Sequence, residues 1–448
     1  MDFNGKEVCI AGMGKTGHSL LRTALRLGAH CRAADTRLLK DAADMRQRYP
    51  DVDFHFGGLP EDMFLGADII LLSPGLTPTL PALLRARQAG IEIMGDIELF
   101  GRIAQTPIVA ITGSNGKSTV TTLLGEMAQA AGLRAAVGGN LGTPALDLLP
   151  ETGPEPELYV LELSSFQLAA CQRFHPRVAA ILNLSPDHLD WHGDYTAYGD
   201  AKARIFQAMG AGDTLVLNAE DPFTATLPAQ VPAGLQLQFF GQTGDRDAYT
   251  ADDQLCLRAD GPLLALDQLL LRGGHNTENV LAAALLARAV DIPLTAIRQA
   301  LRNFSGLPHR LAWIAEVNGV NYYDDSKGTN LGATLKAMSG LPGPLVMILG
   351  GDAKGADLSP LREACIGQRG AIVIGKDGWQ IAALLADVLP VQAADSMPAA
   401  VLAAAEMAQS GDQVLLSPAC ASTDMFTDYQ DRGRQFAAAV QTVTGRVA

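Results

Sequence analysis

The sequence predicts an α/β protein with three successive domains, and three observations support that prediction. The chain has 448 residues, enough for about three domains of ordinary size. Short apolar runs alternate with helical stretches along it, as in parallel β–α–β units. Two glycine-rich turns, at 12–17 and 113–116, each follow an apolar run and open a helix. We therefore expect a Rossmann-like N-terminal domain over 1–96, a central P-loop mononucleotide-binding, ATPase-like domain over 97–304, and a Rossmann-like C-terminal domain over 305–448.

The composition restricts the classes of function. The formal net charge of −14 argues against a broad surface for nucleic acid or for an anionic membrane. The first residues do not resemble a signal peptide, and no apolar run approaches the length of a membrane span, so we expect a cytoplasmic protein without membrane insertion. The six cysteines are scattered without a CxxC pair, which indicates small buried side chains in a reducing compartment.

The N-terminal domain begins with a predicted strand over 7–11, followed by Gly12-Met13-Gly14-Lys15-Thr16-Gly17 and a helix over 19–27. A second strand over 31–34 ends at Asp35, about 20 residues after the glycines, which is the spacing of a dinucleotide-binding fingerprint. This pattern predicts a pyrophosphate or ribose at the carboxyl ends of the strands. A tight turn without a ligand remains the alternative.

The central domain carries the strongest motif. The strand-like run 108–111 is followed by Thr112-Gly113-Ser114-Asn115-Gly116-Lys117-Ser118-Thr119 and a helix over 120–131. Glycines let successive N–H groups face phosphate oxygens, the lysine reaches the β- and γ-phosphates, and the serine hydroxyl suits Mg²⁺. The loop is shorter than the usual G-x-x-x-x-G-K-[ST], but we expect it to bind ATP.

Further apolar runs predict the remaining strands. In the central domain these are 158–163, 178–184 and 214–218, followed by a small antiparallel appendage over 237–271 and a helix over 280–290. The C-terminal domain should contain strands at 320–325, 345–350, 371–375 and 413–417.

Several polar residues lie at or after these strand ends. Glu162 is a candidate Mg²⁺ ligand opposite Ser118, with capping of the adjacent helix as the alternative. His188 and His192 lack a third zinc ligand; we interpret His188 as a metal ligand or proton acceptor and His192 as a solvated loop residue. On composition alone, Lys202 is a surface helix lysine.

The C-terminal domain offers a second group of candidates. Arg310 is either a clamp on the transferred phosphate or part of an interdomain salt bridge. The loops that contain Asp325, Lys354 and Ser422 supply hydroxyls and an ammonium group suited to an amino acid with two carboxylates.

Taken together, these motifs resemble the Mur ligase family, the ATP-dependent amino-acid ligases of peptidoglycan precursor synthesis, over the whole chain. The motifs that carry this resemblance are Thr112–Thr119, Glu162-Leu163-Ser164-Ser165-Phe166-Gln167, Asp187-His188, Gly274-His275-Asn276, His309-Arg310 and Asp325-Ser326-Lys327. A sharper match to the D-glutamate-adding members comes from Asp35-Thr36-Arg37, Asp325-Ser326-Lys327 with Thr329-Asn330, and Leu416-Ser417-Pro418-Ala419-Cys420-Ala421-Ser422.

The resemblance implies a role for each matching residue. The UDP-substrate would be held by Thr16, Asp35, Thr36, Arg37, Gly75, Asn140, Ser164 and Gln167. ATP would be bound by Gly113, Ser114, Asn115, Gly116, Lys117, Ser118, Thr119, Asn276, Asn279, Arg310 and Asp325. Two Mg²⁺ ions would be held by Ser118, Glu162, His188 and a carbamylated Lys202. D-glutamate would be received by Thr329, Lys354, Ser422, Thr423 and Tyr429. Lys117, His188 and Lys202 would be catalytic, and Lys15, Thr423 and Tyr429 depart from the family pattern.

The implied activity is the addition of D-glutamate to UDP-N-acetylmuramoyl-L-alanine through an acyl phosphate made with ATP, by a monomer. Three alternatives remain open: a folylpolyglutamate synthetase-like ligase, an NAD-dependent oxidoreductase, and a non-catalytic nucleotide sensor. The glycine fingerprint in front of the ATP loop argues against the first. The ATP loop itself argues against the second, and the set of Lys117, Glu162 and Asp325 argues against the third.

Overall fold

The first sheet in the chain has five parallel strands. The computed structural model describes residues 1–242, 244, 246–271 and 274–445. The strands are β1 (Glu7–Ala11), β2 (His30–Asp35), β3 (Asp53–Phe56), β4 (Ile69–Leu72) and β5 (Glu92–Gly95). The helices are α1 (Lys15–Arg26), α2 (Ala42–Arg48), α3 (Glu61–Leu65), α4 (Pro81–Gln88) and α5 (Asp96–Ile103). The spatial order β3-β2-β1-β4-β5 places the topological switch point between β1 and β4, where open α/β sheets bind ligands.

The glycine-rich turn after β1 explains an early helix start. The sequence predicts that α1 begins at Ser19, but it begins at Lys15. A Cβ atom on Gly17 would overlap the carbonyl oxygen of Gly12, and Gly12 itself has φ +89°. Because these glycines permit the close approach, the first turn of α1 forms directly after the bend.

The second sheet has nine strands. They are β6 (Ile108–Thr112), β7 (Ala135–Gly139), β8 (Leu158–Glu162), β9 (Val178–Ile181), β10 (Thr214–Asn218), β11 (Gln236–Phe240), β12 (Ala248–Ala251), β13 (Gln254–Leu257) and β14 (Gly261–Ala265). Its helices are α6 (Lys117–Ala130), α7 (Ser165–Ala169), α8 (Leu189–His192), α9 (Tyr195–Ala203), α10 (Gly274–Ala289) and α11 (Leu294–Asn303). The spatial order is β14-β13-β12-β11-β10-β9-β6-β8-β7.

Most pairs in this sheet are parallel, and its central strands are apolar and buried along their whole length, as expected for a sheet covered on both faces. The predicted antiparallel appendage is confirmed for β12, β13 and β14. Strand β11 instead pairs in parallel with β10 and extends the main sheet. Residues 243 and 245 of the appendage lie outside the described residues.

The third sheet has six strands in the order β15-β16-β20-β17-β18-β19. Their bounds are β15 (Ala312–Val317), β16 (Val320–Asp324), β17 (Leu345–Gly350), β18 (Gly370–Ile374), β19 (Val391–Ala393) and β20 (Gln413–Leu416). The helices are α12 (Leu331–Ser339), α13 (Leu361–Ala364), α14 (Gly378–Leu385), α15 (Met397–Met407) and α16 (Tyr429–Gly445). The four predicted strands are present; β15, which pairs antiparallel with β16, and the short edge strand β19 were missed.

The chain forms two compact units. One comprises residues 1–184, 188–268 and 278–303, and therefore contains the first and second sheets. The other comprises residues 185–187, 269–277 and 304–448, with the third sheet. The α/β class with parallel sheets is confirmed, while the domain boundaries 1–96, 97–304 and 305–448 stay predictions.

Two further features concern the chain as a whole. All six cysteines are buried and unpaired, as the sequence indicates, and burial raises the pKa of each thiol. Within the described part of the chain, no helix combines the length and the apolar character needed to span a bilayer.

Candidate active site

The glycine-rich loop between β6 and α6 has the backbone of a phosphate cradle. Gly113 and Gly116 adopt φ +153° and +85°, which side-chain-bearing residues rarely adopt. A Cβ atom on Gly116 would also overlap Oδ1 of Asn279, a residue on α10. The loop leads into α6 at Lys117, three residues earlier than the predicted start at Val120, so the positive end of the helix dipole lies at the loop.

A residue that the sequence reasoning missed holds this loop in place. Asn183, which follows β9, accepts a hydrogen bond from the Asn115 backbone N–H at 2.8 Å and donates to the Asn115 carbonyl at 3.1 Å. The Ser114 N–H donates to the Asn183 carbonyl at 3.0 Å. The sequence feature that could have identified Asn183 is its polar side chain within the apolar run 178–184, at the same sheet edge as the loop.

The ammonium group of Lys117 faces its own loop. Its Nζ donates to the carbonyl oxygens of Gly113 and Ser114, each at 2.8 Å. A cation is therefore already positioned over the cradle into which a phosphate would enter.

Three of the predicted residues form one hydrogen-bonded group at the ends of β7, β8 and α6. Glu162 is 3% exposed, and its Oε2 accepts from the Ser118 hydroxyl at 2.5 Å. Its Oε1 accepts from Asn140 Nδ2 at 2.7 Å. Glu162 thus contacts the phosphate-loop helix, and the alternative role of capping the adjacent helix belongs to Ser164.

Lys202 is buried against the same loop. It is 1% exposed, so the composition-based expectation of a surface lysine is wrong. Its Nζ donates to the Gly113 carbonyl at 2.9 Å and lies 4.5 Å from the centre of the Tyr198 ring. The Tyr198 hydroxyl is in turn 3.0 Å from the Ser114 hydroxyl.

An aromatic cluster surrounds the two histidines. His188 has φ +55°, and its ring lies 4.7 Å from that of Phe166. The prediction of His192 as a solvated loop residue is wrong: it ends α8, stacks on Phe166 at 5.6 Å and bonds the Ser165 hydroxyl at 2.9 Å. Burial, together with the charges of Lys202 and His188, lowers the pKa of His192 to about 4, so its imidazole is neutral at pH 7.

Side chains of the described residues do not form a group of three or more His, Cys, Asp or Glu around a point where a metal would fit. The predicted Mg²⁺ ligands are of another kind, a hydroxyl and a carboxylate at Ser118 and Glu162. These hard oxygen donors suit Mg²⁺, which also keeps waters and takes phosphate oxygens as ligands.

At the switch point of the first sheet, Asp35 organises the glycine-rich turn. Its Oδ2 accepts from the Met13 N–H at 2.7 Å and from Arg37 Nη2 at 2.9 Å, and its Oδ1 accepts from the Arg37 N–H and Nε. Burial alone would raise the pKa of Asp35, but the hydrogen bonds from Arg37 and Met13 hold it below its usual value. Thr36 and Gly75 are exposed at the same edge.

Two of the predicted UDP-substrate residues have structural partners. Ser164 and Gln167 form a capping box at the start of α7, and Gln167 Nε2 also donates to Asp96 at 2.8 Å. Lys15, one of the departures from the family pattern, donates through Nζ to the Gly142 carbonyl at 2.5 Å. The roles predicted for Ser164 and Gln167 in substrate binding stay predictions.

In the third sheet, Asp325 follows β16 and is buried. Its Oδ2 accepts from the Ser417 hydroxyl at 2.7 Å, and its Oδ1 from the Leu311 N–H at 3.1 Å. Burial raises the pKa of Asp325 to about 7, against the opposing effects of the Ser417 hydrogen bond and the positive charge of Arg310.

The residues predicted for the amino-acid substrate all lie in loops at the carboxyl ends of this sheet or at the start of α16. Thr329, Lys354 and Ser422 follow β16, β17 and β20, and Lys354 has φ +51°. Thr423 is exposed, and the ring of Tyr429 lies 4.0 Å from Lys327 Nζ. Arg432, which the sequence reasoning missed, is fully buried behind these loops.

Three family models match the chain. They are described as the Mur ligase MurD-like N-terminal domain over residues 6–95, the Mur ligase middle domain over residues 111–287, and the Mur ligase glutamate ligase domain over residues 309–420.

Curated relatives match over nearly the whole chain. A protein of Pseudomonas aeruginosa named UDP-N-acetylmuramoylalanine--D-glutamate ligase is 47% identical over 447 residues, covering 96% of this chain and 97% of that protein. A protein of the same name from Methylococcus capsulatus is 44% identical over 443 residues, covering 98% and 95%.

Solved structures share the fold at low identity. The MurF ligase of Thermotoga maritima in complex with ADP has a TM-score of 0.61 at 17% identity, covering 100% of this chain and 96% of that one. The UDP-N-acetylmuramate-alanine ligase of the same organism has a TM-score of 0.59 at 17% identity, covering 98% and 100%.

Proposed function

The chain belongs to the Mur ligase family, and on that premise we propose that it is the member that adds D-glutamate. It is an ATP-dependent, ADP-forming carboxylate–amine ligase that joins D-glutamate to UDP-N-acetylmuramoyl-L-alanine during peptidoglycan precursor synthesis. The observation that carries this conclusion is the identity of 44–47% to relatives named for that reaction, over nearly the full length of both chains.

We propose that the loop Gly113–Thr119 binds the phosphates of ATP. Support comes from the two left-handed glycines, the start of α6 at Lys117, and the ammonium group of Lys117 over the loop. An entering phosphate would replace the carbonyl oxygens of Gly113 and Ser114 as hydrogen-bond acceptors of that ammonium group. The ammonium group would then change its partner but not its position. We assign ATP contacts to Asn276, Asn279, Arg310 and Asp325 on the family resemblance.

We propose that Ser118 and Glu162 hold Mg²⁺, with His188 and a carbamylated Lys202 serving a second ion. The contact of 2.5 Å between the Ser118 hydroxyl and the Glu162 carboxylate places two hard oxygen donors together. When bound, Mg²⁺ would neutralise charge on the phosphate oxygens. Lys202 could hold Mg²⁺ only after reaction with CO₂, because carbamylation converts its cationic side chain into an anionic one. The position of Lys202 beside Gly113 supports this assignment.

The reaction requires activation of a carboxylate, because a carboxylate is a poor acyl donor at neutral pH. The L-alanyl carboxylate first takes the γ-phosphoryl group of ATP, and Lys117 stabilises the charge that develops on the transferred oxygens. The neutral amine of D-glutamate then attacks the acyl phosphate, and inorganic phosphate leaves. Beside this site, the His192 ring lies 2.9 Å from the Ser165 hydroxyl and stacks on Phe166.

We propose that the UDP-substrate binds at the switch point of the first sheet, on Thr16, Asp35, Thr36, Arg37 and Gly75. The support is the pairing of Asp35 with the Met13 N–H and with Arg37, which fixes the glycine turn while the Arg37 side chain stays 63% exposed. Asn140, bonded to Glu162, would connect the substrate to the proposed Mg²⁺ ligands.

We propose that Thr329, Lys354, Ser422, Thr423 and Tyr429 receive D-glutamate, since they lie in loops at one edge of the third sheet. An ammonium group and hydroxyls are the groups that recognise two carboxylates. We propose a cytoplasmic location, because ATP is available there, and we assign a monomer on the family resemblance alone.

Phosphate release from ATP tests the function directly. We expect release only when UDP-N-acetylmuramoyl-L-alanine and D-glutamate are both present, with L-glutamate, other amino acids and a reduced folate as separate controls. Equal release without D-glutamate, or turnover with a folate and L-glutamate instead, would overturn the proposal.

A further inference from the structure

The guanidinium group of Arg432 is buried with neutral partners only. Arg432 lies in the first turns of α16 and is 0% exposed. Its Nε donates to the Ser326 hydroxyl at 3.0 Å and its Nη2 to the Ser326 carbonyl at 2.8 Å. Nη1 and Nη2 both donate to the Cys420 carbonyl at 3.2 Å.

The cation is retained despite its surroundings. Among the residues that the structure describes, carboxylates act on this guanidinium only from beyond the 4 Å of an ion pair. Burial lowers the pKa of Arg432 to about 10, which still leaves it protonated at pH 7. Burying a charge is costly, and the charges of Asp424, Asp324 and Asp325 offset only part of that cost, so the guanidinium depends on its hydrogen bonds to neutral groups.

These hydrogen bonds join the loops that follow β16 and β20. Ser326 belongs to the first loop, three residues before Thr329, and Cys420 belongs to the second, two residues before Ser422. The Ser326 hydroxyl also donates to the Tyr429 carbonyl at 2.8 Å, which ties the start of α16 to the same point.

The hydrogen bonds reach a third loop through the peptide group between Cys420 and Ala421. The Cys420 carbonyl points to Arg432, and the N–H of the same peptide, on Ala421, donates to the Asp352 carbonyl at 2.9 Å. Asp352 in turn accepts the Lys354 N–H through Oδ1 at 2.9 Å. A cation on the carbonyl side polarises that peptide and strengthens the bond on its N–H side.

The backbone beside Cys420 needs such support. Ala419 has φ +61°, a conformation that is unfavourable for a residue with a Cβ and persists only where its surroundings determine it. The two hydrogen bonds to the Cys420 carbonyl act directly next to this strained residue.

We propose that Arg432 is a positioning residue for the incoming amino acid, holding Thr329, Lys354, Ser422 and Tyr429 in one arrangement through its contacts with Ser326 and Cys420. The inference rests on the proposed function, which assigns those four residues to D-glutamate. Arg432 acts behind the pocket and does not touch the substrate.

The test compares Arg432→Lys and Arg432→Ala with wild type. Lysine keeps the charge but lacks the planar guanidinium group with which arginine bonds the Ser326 hydroxyl and the carbonyls of Ser326 and Cys420. We expect the KM for D-glutamate to rise about tenfold or more in both variants, with the KM for the UDP-substrate and for ATP within about twofold. Millimolar guanidinium should restore part of the D-glutamate affinity of the alanine variant.

Arg369→Lys is the matched control. Arg369 is paired with Asp412 at 2.6 Å at the amino ends of β18 and β20, on the opposite edge of the same sheet. Weakening this ion pair in the Arg369→Lys variant should lower the melting temperature and leave the KM for D-glutamate unchanged. If all three KM values rise together, or only the melting temperature falls, Arg432 is not a positioning residue. If wild type itself does not turn over D-glutamate, the proposed function fails instead.

Discussion

Replacing Asp35 by Asn should weaken binding of the UDP-substrate without affecting ATP. Each carboxylate oxygen of Asp35 accepts from two N–H donors, so an asparagine amide group in either orientation turns its NH₂ toward two of them. Each orientation therefore leaves one backbone N–H without its acceptor, either the buried N–H of Met13, bonded at 2.7 Å, or that of Arg37, bonded at 2.8 Å.

The magnitude follows from which donor loses its partner. Leaving a buried N–H without an acceptor costs about 1–3 kcal/mol. The Arg37 side chain is 63% exposed and its guanidinium can bond to water instead, so its share is below about 1 kcal/mol. If the ligand must restore the turn on binding, affinity falls by about 5-fold to 150-fold.

Isothermal titration calorimetry with UDP-N-acetylmuramoyl-L-alanine measures this effect. Asp53→Asn, an exposed position on the neighbouring strand β3, is the matched control and should bind like wild type. A folded Asp35→Asn protein that binds within twofold of wild type would refute the reasoning that the Asp35 carboxylate preorganises the nucleotide turn.

Three further predictions concern the other sites. Lys117→Ala should lose phosphate release almost completely while calorimetry finds UDP-substrate affinity within about twofold of wild type, because Lys117 lies on the phosphate loop and not at the first sheet; equal loss of both would contradict the division of sites. Lys202→Ala should be inactive and partly rescued in the phosphate assay by a short carboxylic acid, whereas Lys202→Arg should not respond; absence of rescue would count against a carbamate. Asp325 has a folded pKa of about 7, above its ordinary value of 3.8, so the folded state retains a proton that the unfolded state releases, and wild-type stability should decline from about pH 4 to pH 7. Thermal melts of Asp325→Asn should lack that part of the decline; an identical pH profile would show that Asp325 does not titrate in this range.

The strands were predictable where both faces of a sheet are covered. The runs at Thr214–Asn218 and Leu345–Gly350 are entirely buried, and their observed bounds equal the predicted ones. Strand β15 was missed because it is a half-exposed edge strand that contains the exposed Trp313. Such a strand is defined by its antiparallel partner β16, which is a tertiary contact and not a local pattern.

The site was predictable where a motif combines special backbone and chemistry in a few adjacent residues. Gly113, Gly116 and Lys117 illustrate this, since their left-handed backbone and their cation follow one another in the chain. Asn183 and Arg432 were missed because they act at 68 and 106 residues of separation, on Asn115 and on Ser326. His192 was wrongly placed in solvent because the packing of Phe166 around it has no signal in the local sequence.

The six enclosed thiols offer a practical opportunity for spectroscopy. A maleimide reacts with the thiolate of an accessible cysteine, and Cys9, Cys31, Cys171, Cys256, Cys365 and Cys420 are both enclosed and held in the thiol form. Cysteines engineered at two exposed positions would therefore take up fluorophores selectively against the native background. Distances between the first and third sheets then become measurable in solution, with each substrate added in turn, without removing a single native sulfur atom.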